Sequence, residues 1–211
     1  MTNFIPVFPL SIVVYPDEIL HLKIFEPRYK QLINDCFAEK KPFGIPVVAN
    51  NTITDFGTLV EIQEIVKVYE DGKMDIITKG LAVFKILEII QEVPNKLYSG
   101  AIVNYPTNQI TPLYQYLQPV LSNIRELFQQ LQVQKNFKKA DESLLSYDVA
   151  HHVGFTLEQE MTLLCLFKEL ERIEFLRRHL LQVLPLIKGM ELLKDKIKLN
   201  GHFKELKGFS F

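Results

Sequence analysis

The chain is organised around Phe8-Pro9-Leu10-Ser11-Ile12-Val13-Val14-Tyr15-Pro16, continued a few residues later by Ile24-Phe25-Glu26-Pro27-Arg28-Tyr29. The apolar run at residues 4–10 is broken by two prolines, which an edge strand tolerates because a missing N–H costs little there. Pro16 stands at the first corner of a turn, Tyr15-Pro16-Asp17-Glu18. The next residues alternate between apolar and polar as far as Ile24, which predicts a half-buried strand.

A helix is predicted to begin at Pro27, since a proline at the first helical position loses no hydrogen bond. Apolar residues then recur at three- and four-residue spacing and give the helix one apolar face; they are Tyr29, Leu32, Ile33, Cys36 and Phe37. The opening stretch therefore predicts strand, tight turn, strand and helix in that order.

Length and composition indicate a globular protein. The 211 residues are enough for one large or two small domains, and 47% hydrophobic with 23% charged residues argues against disorder. A formal net charge of -1 gives no support to nucleic-acid binding, which usually needs a large basic excess. The sequence shows no signal peptide and no apolar run near the roughly 20 residues that span a bilayer, so we expect a cytoplasmic location.

Strand patterns dominate up to residue 106. A strand is predicted at residues 43–48, and residues 57–105 follow mainly a period of two. Asp71-Gly72 is a strong hairpin signal because glycine accepts positive φ. Residues 81–90 are apolar on both faces and predict a central strand after a return strand at residues 74–78. Together with a last strand at residues 98–105, these patterns predict a small barrel or curled sheet with a helix inserted early.

Helical patterns follow Pro106. Leucine-rich stripes run from Leu113 to Leu131 and from Leu163 to Leu184, the second in a long helix opened by the capping-box residues Thr156 and Gln159. Pro185 is expected to bend or end that helix, with a short helix at residues 190–199. The sequence thus predicts an α+β fold: a β subdomain at residues 1–106 and an α-helical subdomain, a bundle, at residues 107–211.

Candidate catalytic and metal-binding residues are sparse. Cys36 and Cys165 are predicted to be buried free thiols, and a nucleophilic role would need a nearby base such as His21 or His151. His151 and His152 are adjacent on a helix and point about 100° apart, and zinc needs three or four ligands. We therefore expect no metal and no cofactor.

The opening motifs resemble a known family. Val7-Phe8-Pro9-Leu10, Val14-Tyr15-Pro16 and Leu22-Lys23-Ile24-Phe25-Glu26-Pro27-Arg28-Tyr29 are similar to the N-terminal substrate-binding domain of Lon-type ATP-dependent proteases, especially the stand-alone bacterial Lon-domain proteins. Gly57-Thr58-Leu59-Val60-Glu61-Ile62 resembles the family's third strand, and Ile77-Thr78-Lys79-Gly80-Leu81 its glycine turn between two strands. The helical half, residues 144–174, also looks like the family's helical subdomain. The resemblance implies a PUA-like β-barrel followed by helices.

Two positions depart from the family pattern. Asp17 stands where the family commonly has a glycine after the proline of the first turn. Val83 stands where an arginine often precedes the Phe-x-Ile triplet, so any polar role of that arginine is in doubt for this chain.

The resemblance implies recognition of unfolded or tagged polypeptides. No G-x-x-x-x-G-K-[ST] phosphate loop is present, because Gly72-Lys73 is followed by Met74. We therefore expect a non-catalytic, ATP-independent polypeptide-binding module whose site uses exposed apolar surface and strand edges between the two halves. The candidate ligand-binding residues are Phe25, Glu26, Arg28, Tyr29 and Lys79. The alternative interpretation is structural: Glu26 complements the helix N-terminus and Tyr29 packs in the core.

Other functions stay open at this point. A PUA-like fold is compatible with RNA binding, and basic clusters at Lys135, Lys138 and Lys139 and at Lys188 to Lys207 lie near Phe137 and Phe203, which could stack on bases. A small enzyme with an unrecognised site is the third hypothesis. The expected partners are extended polypeptide segments, a separate protease or chaperone, and a second copy through the helical half, whereas nucleic acid is disfavoured.

Overall fold

The computed structural model describes residues 2–205, with side chains described for residues 2–190 and for Leu192. The chain divides into two compact units. The sheet unit holds residues up to Thr111 together with Gly154–Glu171, and the helix unit holds Pro112–Val153 together with the chain from Arg172 onward. Each unit is therefore built from separated segments, and the domain boundary between residues 106 and 107 stays a prediction.

The sheet unit contains, within the described residues, six antiparallel strands. They are β1 Thr2–Pro6, β2 Ile19–Ile24, β3 Phe43–Ala49, β4 Thr52–Val68, β5 Met74–Ile90 and β6 Gly100–Asn104. The order is β1-β6-β5-β4-β3, and β2 pairs with the first part of β5. The predicted α+β class is confirmed, as is the hairpin at Gly72, whose φ is 74°.

β5 is one continuous strand, so the turn predicted at Gly80 between two strands is wrong. Gly80 lies opposite Val60, and Ala82 lies opposite Leu59, which leaves Leu81 as the extra residue of a bulge. The glycine is needed for another reason: a Cβ at this position would overlap the carbonyl oxygen of Tyr15. Position 80 therefore does require glycine, but the reason is the close approach of the Tyr15 backbone and not a turn.

Residues 7–10 close the sheet on itself. The edge strand predicted at residues 4–10 ends at Pro6, and the chain then turns away from β6 and runs beside β3. The N–H of Phe8 donates to the carbonyl of Gly44 at 2.8 Å, and that of Leu10 donates to Pro46 at 3.1 Å. Val48 donates back to Leu10 at 2.8 Å. The N-terminal chain therefore joins the two edges of the sheet, β6 through β1 and β3 through residues 7–10.

The first helix covers one part of this sheet. α1 spans Pro27–Glu39, as predicted from Pro27, and ends where Lys40 adopts a left-handed φ of 52°. It buries Tyr29, Leu32, Ile33 and Cys36 in a core shared with β2 to β5. A second core cluster around Phe84, Ile5 and Val103 lies between β1, β5 and β6.

The remaining helices are α2 Tyr114–Gln130, α3 Ser146–Ala150, α4 Leu157–Leu164 and α5 Glu169–Glu205, with a 3₁₀ turn at Asp141–Ser143. In the helix unit, α2 buries Leu117, Val120, Leu121, Ile124 and Leu127. Arg172 of α5 is fully buried, where its Nε donates to Ser146 Oγ at 2.9 Å and its guanidinium lies 4.2 Å from the Tyr147 ring centroid. No described helix combines the length and apolar character needed to cross a membrane.

The single long helix predicted from Thr156 is two helices. The capping box is confirmed: Gln159 N–H donates to Thr156 Oγ1, and Thr156 N–H donates to Gln159 Oε1. The helix then stops at residues 165–168, where the Phe167 ring lies 6.1 Å from that of Phe56 and its carbonyl accepts from Gln109 N–H. These tertiary contacts break a pattern that holds no glycine or proline. Of the two outcomes expected at Pro185, an end of the helix is wrong, because α5 continues through this exposed proline, and a bend there stays a prediction.

Candidate functional site

Four of the five candidate residues lie where β2 passes into α1. Phe25 is 58% exposed, the largest apolar exposure in this stretch. Glu26 precedes the helix and accepts two hydrogen bonds from the guanidinium of Arg28, at 3.0 and 2.7 Å. Both charged side chains are exposed, so this pair contributes little to stability.

Tyr29 belongs to the core. Its ring lies 4.0 Å from that of Phe8, and the residue is only 8% exposed. Burial raises the pKa of its phenol, an effect that Arg28 opposes and Glu26 supports. The Arg28 guanidinium covers the outer side of the ring at 4.5 Å from the centroid. A neutral, packed tyrosine fits the structural interpretation of this residue.

Lys79 is not brought together with the other four. It lies opposite Ile19 at the start of β2, whereas Phe25 follows the end of β2 at Ile24. The six steps of chain from Ile19 to Phe25, at about 3.3 Å per residue, separate the two positions by roughly 20 Å. Lys79 instead pairs with Asp17 at 2.8 Å. The five candidates therefore form two separate places in the sheet unit, and their role in binding stays a prediction.

An open cleft lies where the closure of the sheet is incomplete. Residues 7–10 are bonded to β3, but upstream of Val7 the chain follows β6 and leaves the start of β3 uncovered. The resulting cavity has a volume of about 660 Å³. We call it the seam cleft; the described residues that line it are Thr2, Asn3, Phe4, Ile5, Pro6, Lys41, Pro42, Leu59, Ala82 and Tyr105.

The backbone of β1 presents unused hydrogen-bonding groups to this cleft. Val7 N–H donates to Ser99 at 3.0 Å, so this pair is a hydrogen-bonded pair of the antiparallel ladder. Because hydrogen-bonded and non-hydrogen-bonded pairs alternate along β1, the backbone N–H and C=O groups of Ile5 and Asn3 also point to β6. The backbone N–H and C=O groups of Phe4 and Thr2 point away from β6. Among the described residues no strand pairs with that outer edge.

The cleft is mainly uncharged. Of its described lining residues, Lys41 alone carries a charge, and its partner Glu39, 2.6 Å away, lies outside the lining. Burial raises the pKa of the Tyr105 phenol, against a smaller opposite effect of its hydrogen bond with the Asn3 side chain. The phenol is therefore neutral at physiological pH and offers a hydrogen bond but no charge.

A second, smaller cavity shares one wall with the cleft. Its volume is about 380 Å³, and Lys41 and Pro42 line both cavities. We call it the side pocket; its described lining is Cys36, Phe37, Lys40, Lys41, Pro42, Glu61, Ile62 and Leu81. Burial raises the pKa of the Cys36 thiol to about 12, and the hydrogen bond to Glu39 raises the pKa of Lys41. The thiol and the amine both stay protonated, so neither is a nucleophile at neutral pH.

The other long strand edge is less suited to pairing. The half of β4 after Val60 has no described strand on its outer side. Its register against β5 shifts between Ile62 and Glu64 and again between Ile65 and Lys67. Bulges and charged side chains of this kind twist and block an edge against strand addition. The straight edge of β1 is the better docking edge.

The remaining candidates are engaged in local contacts. His152 Nδ1 lies 3.1 Å from Lys135 Nζ, and Lys139 Nζ lies 2.8 Å from Asp148. Lys188 pairs with Glu126 at 2.6 Å, while the tail lysines further on and Phe203 lie outside the residues whose side chains are described. Among the described side chains, no three His, Cys, Asp or Glu groups come together as metal ligands.

Sequence reasoning missed the seam cleft. Its main residues, Thr2 to Pro6 and Lys41-Pro42, carry no motif, and the cleft depends on the point where the chain changes partner from β6 to β3. Pro6 is the available signal. It has no N–H to offer the outer edge of β1, which fits a residue at the end of a pairing edge.

Comparison with known proteins agrees with this architecture. A crystal structure of a Lon N-terminal domain protein from Xanthomonas campestris superposes with a TM-score of 0.62 at 23% identity, covering 83% of this chain and 98% of that chain. The N-terminal domain of Mycobacterium avium complex Lon protease gives a TM-score of 0.61 at 16% identity, covering 84% and 98%. At these identities the two structures show the fold.

The family assignment comes from the sequence as a whole. Residues 5–182 match the family described as the ATP-dependent protease La (LON) substrate-binding domain. The match spans β1 to the middle of α5 and includes the motifs on which the resemblance was based. The resemblance is confirmed, and the chain belongs to the Lon substrate-binding domain family.

Proposed function

We propose that this protein is a non-catalytic module that binds an extended segment of an unfolded polypeptide in the seam cleft. The observation that carries the proposal is the outer edge of β1, which pairs with no described strand and borders a mainly uncharged cavity. A segment that adds to this edge as a strand gains main-chain hydrogen bonds, which do not depend on its sequence. Membership in a substrate-binding family supports this kind of ligand.

The expected affinity is moderate. Each new hydrogen bond contributes only about 0.5–1.5 kcal/mol, because the segment gives up bonds to water. A few such bonds with partial burial against Leu59, Ala82 and Phe4 correspond to a dissociation constant on the order of micromolar after the cost of ordering the segment. Moderate affinity with tolerance of many sequences suits a module that meets many unfolded chains.

The absence of catalysis is part of the proposal. In the side pocket, the two groups with shifted pKa values are held protonated, which supports a binding role for that region. We further propose that the protein acts in the cytoplasm without ATP and presents its segments to a separate protease or chaperone. Addition of ATP and Mg²⁺ should then leave the affinity for an unfolded protein unchanged.

Titration of a reduced, carboxymethylated test protein, followed by fluorescence anisotropy, tests the binding function. We expect saturable binding at micromolar concentration, with slower hydrogen exchange at the amides of Thr2 and Phe4. Native, folded test protein should not bind. Absence of any binding at several hundred micromolar would overturn the proposal.

A pair of substitutions at one position tests the site. Phe4→Pro removes an N–H that faces the cleft and leaves the β1–β6 bonds in place, so we expect a loss of binding of tenfold or more. Phe4→Ala is the matched control: it removes the same ring, which lies over Gly100, but keeps the N–H. If both variants bind equally, main-chain pairing at β1 is the wrong mechanism. Thermal melts show whether each variant is folded.

A further inference from the structure

We propose that the preferred segment carries a large apolar side chain beside an acidic residue, and that the side pocket takes the apolar side chain while Lys40 and Lys41 attract the acid. This inference rests on the proposed function, since it names the chemistry of the segment that the seam cleft holds. The occupant is an extended polypeptide. Its main chain lies in the seam cleft, and its anchoring side chain enters the side pocket.

The two cavities are neighbours along one path. Lys41 and Pro42 line both, so a strand paired with β1 lies close to the wall that the two cavities share. Alternate side chains of an added strand point to opposite sides at about 3.3 Å per residue. One side chain of the bound segment can therefore enter the pocket while its neighbours stay in the cleft or in water.

The side pocket is lined by apolar groups that folding has left accessible. Phe37 is 50% exposed on α1, and Leu81, the extra residue of the β5 bulge, is 38% exposed. A bulge that re-aims a side chain is a recurring feature of binding sites. With a volume of about 380 Å³, the pocket lies at the small end of the range for ligand sites, roughly 300–1,000 Å³. That size suits one leucine, methionine or phenylalanine side chain.

The charge around the shared wall selects the neighbouring residue. Two lysines, Lys40 and Lys41, and one glutamate, Glu61, line the side pocket. Lys41 is paired with Glu39 at 2.6 Å, so Lys40 is the main ammonium group offered to a ligand. Lys41 is also the charged member of the seam cleft lining. A carboxylate on the segment is attracted to this wall, and a basic residue at the same place is repelled.

A set of short host peptides tests this inference. Each has a polar sequence with one variable anchor, leucine, phenylalanine or alanine, followed by either glutamate or lysine. On the 211-residue protein we expect the leucine and phenylalanine peptides to bind roughly tenfold or more tightly than the alanine peptide. The glutamate series should bind several-fold more tightly than the lysine series, with a difference that shrinks as salt is added.

Matched variants locate the effect. Phe37→Ala and Leu81→Ser should remove most of the preference for leucine over alanine, whereas Leu97→Ala should leave it unchanged, because Leu97 is 65% exposed and lines neither cavity. Lys40→Glu should reverse the preference between glutamate and lysine peptides. Since Phe37, Leu81 and Lys40 are exposed, these changes should keep the fold, which circular dichroism verifies.

The outcomes separate this inference from the function on which it rests. If all host peptides bind equally and Phe4→Pro still abolishes binding, the role of the side pocket is overturned and the seam cleft stands. If the anchor preference survives both pocket substitutions, the anchor binds elsewhere and the inference fails. If neither the peptides nor the unfolded test protein bind the wild type, the proposed function itself is wrong.

Discussion

Asp17 shows how one residue can replace a glycine at a turn that needs positive φ. The turn at residues 15–18 closes with a bond from Glu18 N–H to the Tyr15 carbonyl at 3.2 Å, and Asp17 has a φ of 68°. Pro16 before such a residue is typical of a type II turn, whose third position favours glycine. Aspartate tolerates this conformation better than most residues, and its carboxylate pairs with Lys79 at 2.8 Å.

Substitutions at Asp17 should separate these two contributions. Asp17→Gly relieves the positive φ but loses an exposed ion pair, so we expect a change in the free energy of unfolding of less than about 1 kcal/mol. Asp17→Ala keeps the strain and loses the pair, and should destabilise by roughly 1–2 kcal/mol. Urea denaturation of the three proteins measures the order. If alanine is as stable as glycine, backbone strain does not matter at this position.

Gly80 is the second position where the backbone dictates the residue. Its N–H donates to the Glu18 carbonyl at 2.8 Å, its carbonyl accepts from Asp17 N–H at 2.9 Å, and a Cβ would overlap the Tyr15 carbonyl. Gly80→Ala must push the turn away from β5, so we expect a loss of about 2–3 kcal/mol.

Gly189 offers the control for that substitution. It lies in α5 with open space around it, so Gly189→Ala should instead stabilise by about 0.5–1 kcal/mol through its helix propensity. Thermal denaturation of both variants reports the contrast. A Gly80→Ala protein as stable as the wild type would mean that the turn and β5 do not approach as closely as the structure shows.

Pro16 and Gly80 differ in how much of their role can be read from the sequence. Pro16 marked the turn, because proline restricts its own φ regardless of context. Gly80 was recognised as special but assigned to a turn, since its need for glycine comes from the carbonyl of Tyr15, far upstream in the chain. Local constraints are readable from the sequence, and those imposed by a distant backbone atom are not.

A cluster of polar side chains connects α1 to the loop before β6. Asp35 of α1 accepts hydrogen bonds from Lys96 Nζ at 2.8 Å and from the Tyr98 hydroxyl at 2.9 Å. The bond from Lys96 lowers the pKa of Asp35 below 3.8, with a further contribution from Tyr98. Burial raises the pKa of the Tyr98 phenol, and the hydrogen bond to Asp35 raises it further.

This cluster predicts a pH-dependent cost for Asp35→Asn. Because the folded pKa of Asp35 lies below the unfolded value, its charged form stabilises the fold above about pH 4, and that contribution disappears as the pH falls through the folded pKa. We expect the substitution to cost about 1 kcal/mol at pH 7 and progressively less as the pH is lowered below about 4. Urea denaturation at a series of pH values from 7 downward measures this cost, and a cost independent of pH would contradict this account.

Helices that begin at a local sequence signal were predicted correctly. Helix and strand ends that depend on contacts with distant parts of the chain were not. α1 begins at Pro27 and α4 follows the Thr156 capping box, as local chemistry requires. The break at residues 165–168 and the change of partner after Pro6 depend on contacts with Phe56 and with β3. For the same reason the seam cleft could not be derived: it is a gap between two strands that the sequence does not place side by side.

The two units of the molecule do not follow one another along the chain. It leaves the sheet unit after Thr111, returns to it at Gly154 and leaves again after Glu171. Composition changes character at Pro106, which is why the sequence predicts one boundary there. The later helical pattern looks the same in α4 as in α2, so the sequence cannot reveal that α4 packs with the sheet unit.

A fragment of residues 1–106 should therefore be incomplete. It lacks α4 and the loop after it, which supply a carbonyl at Glu160 for the Tyr15 hydroxyl, 3.2 Å away, and the Phe167 ring beside Phe56. We expect the fragment to bind a hydrophobic dye and to melt at a lower temperature and less cooperatively than the full chain, because these apolar contacts are exposed. Amide NMR spectra and thermal melts of both proteins decide the matter. If the amide shifts of residues 2–104 and the melting temperature are the same in both proteins, residues 1–106 form an autonomous domain. In that case the sheet folds without the contacts that Gly154–Glu171 supplies.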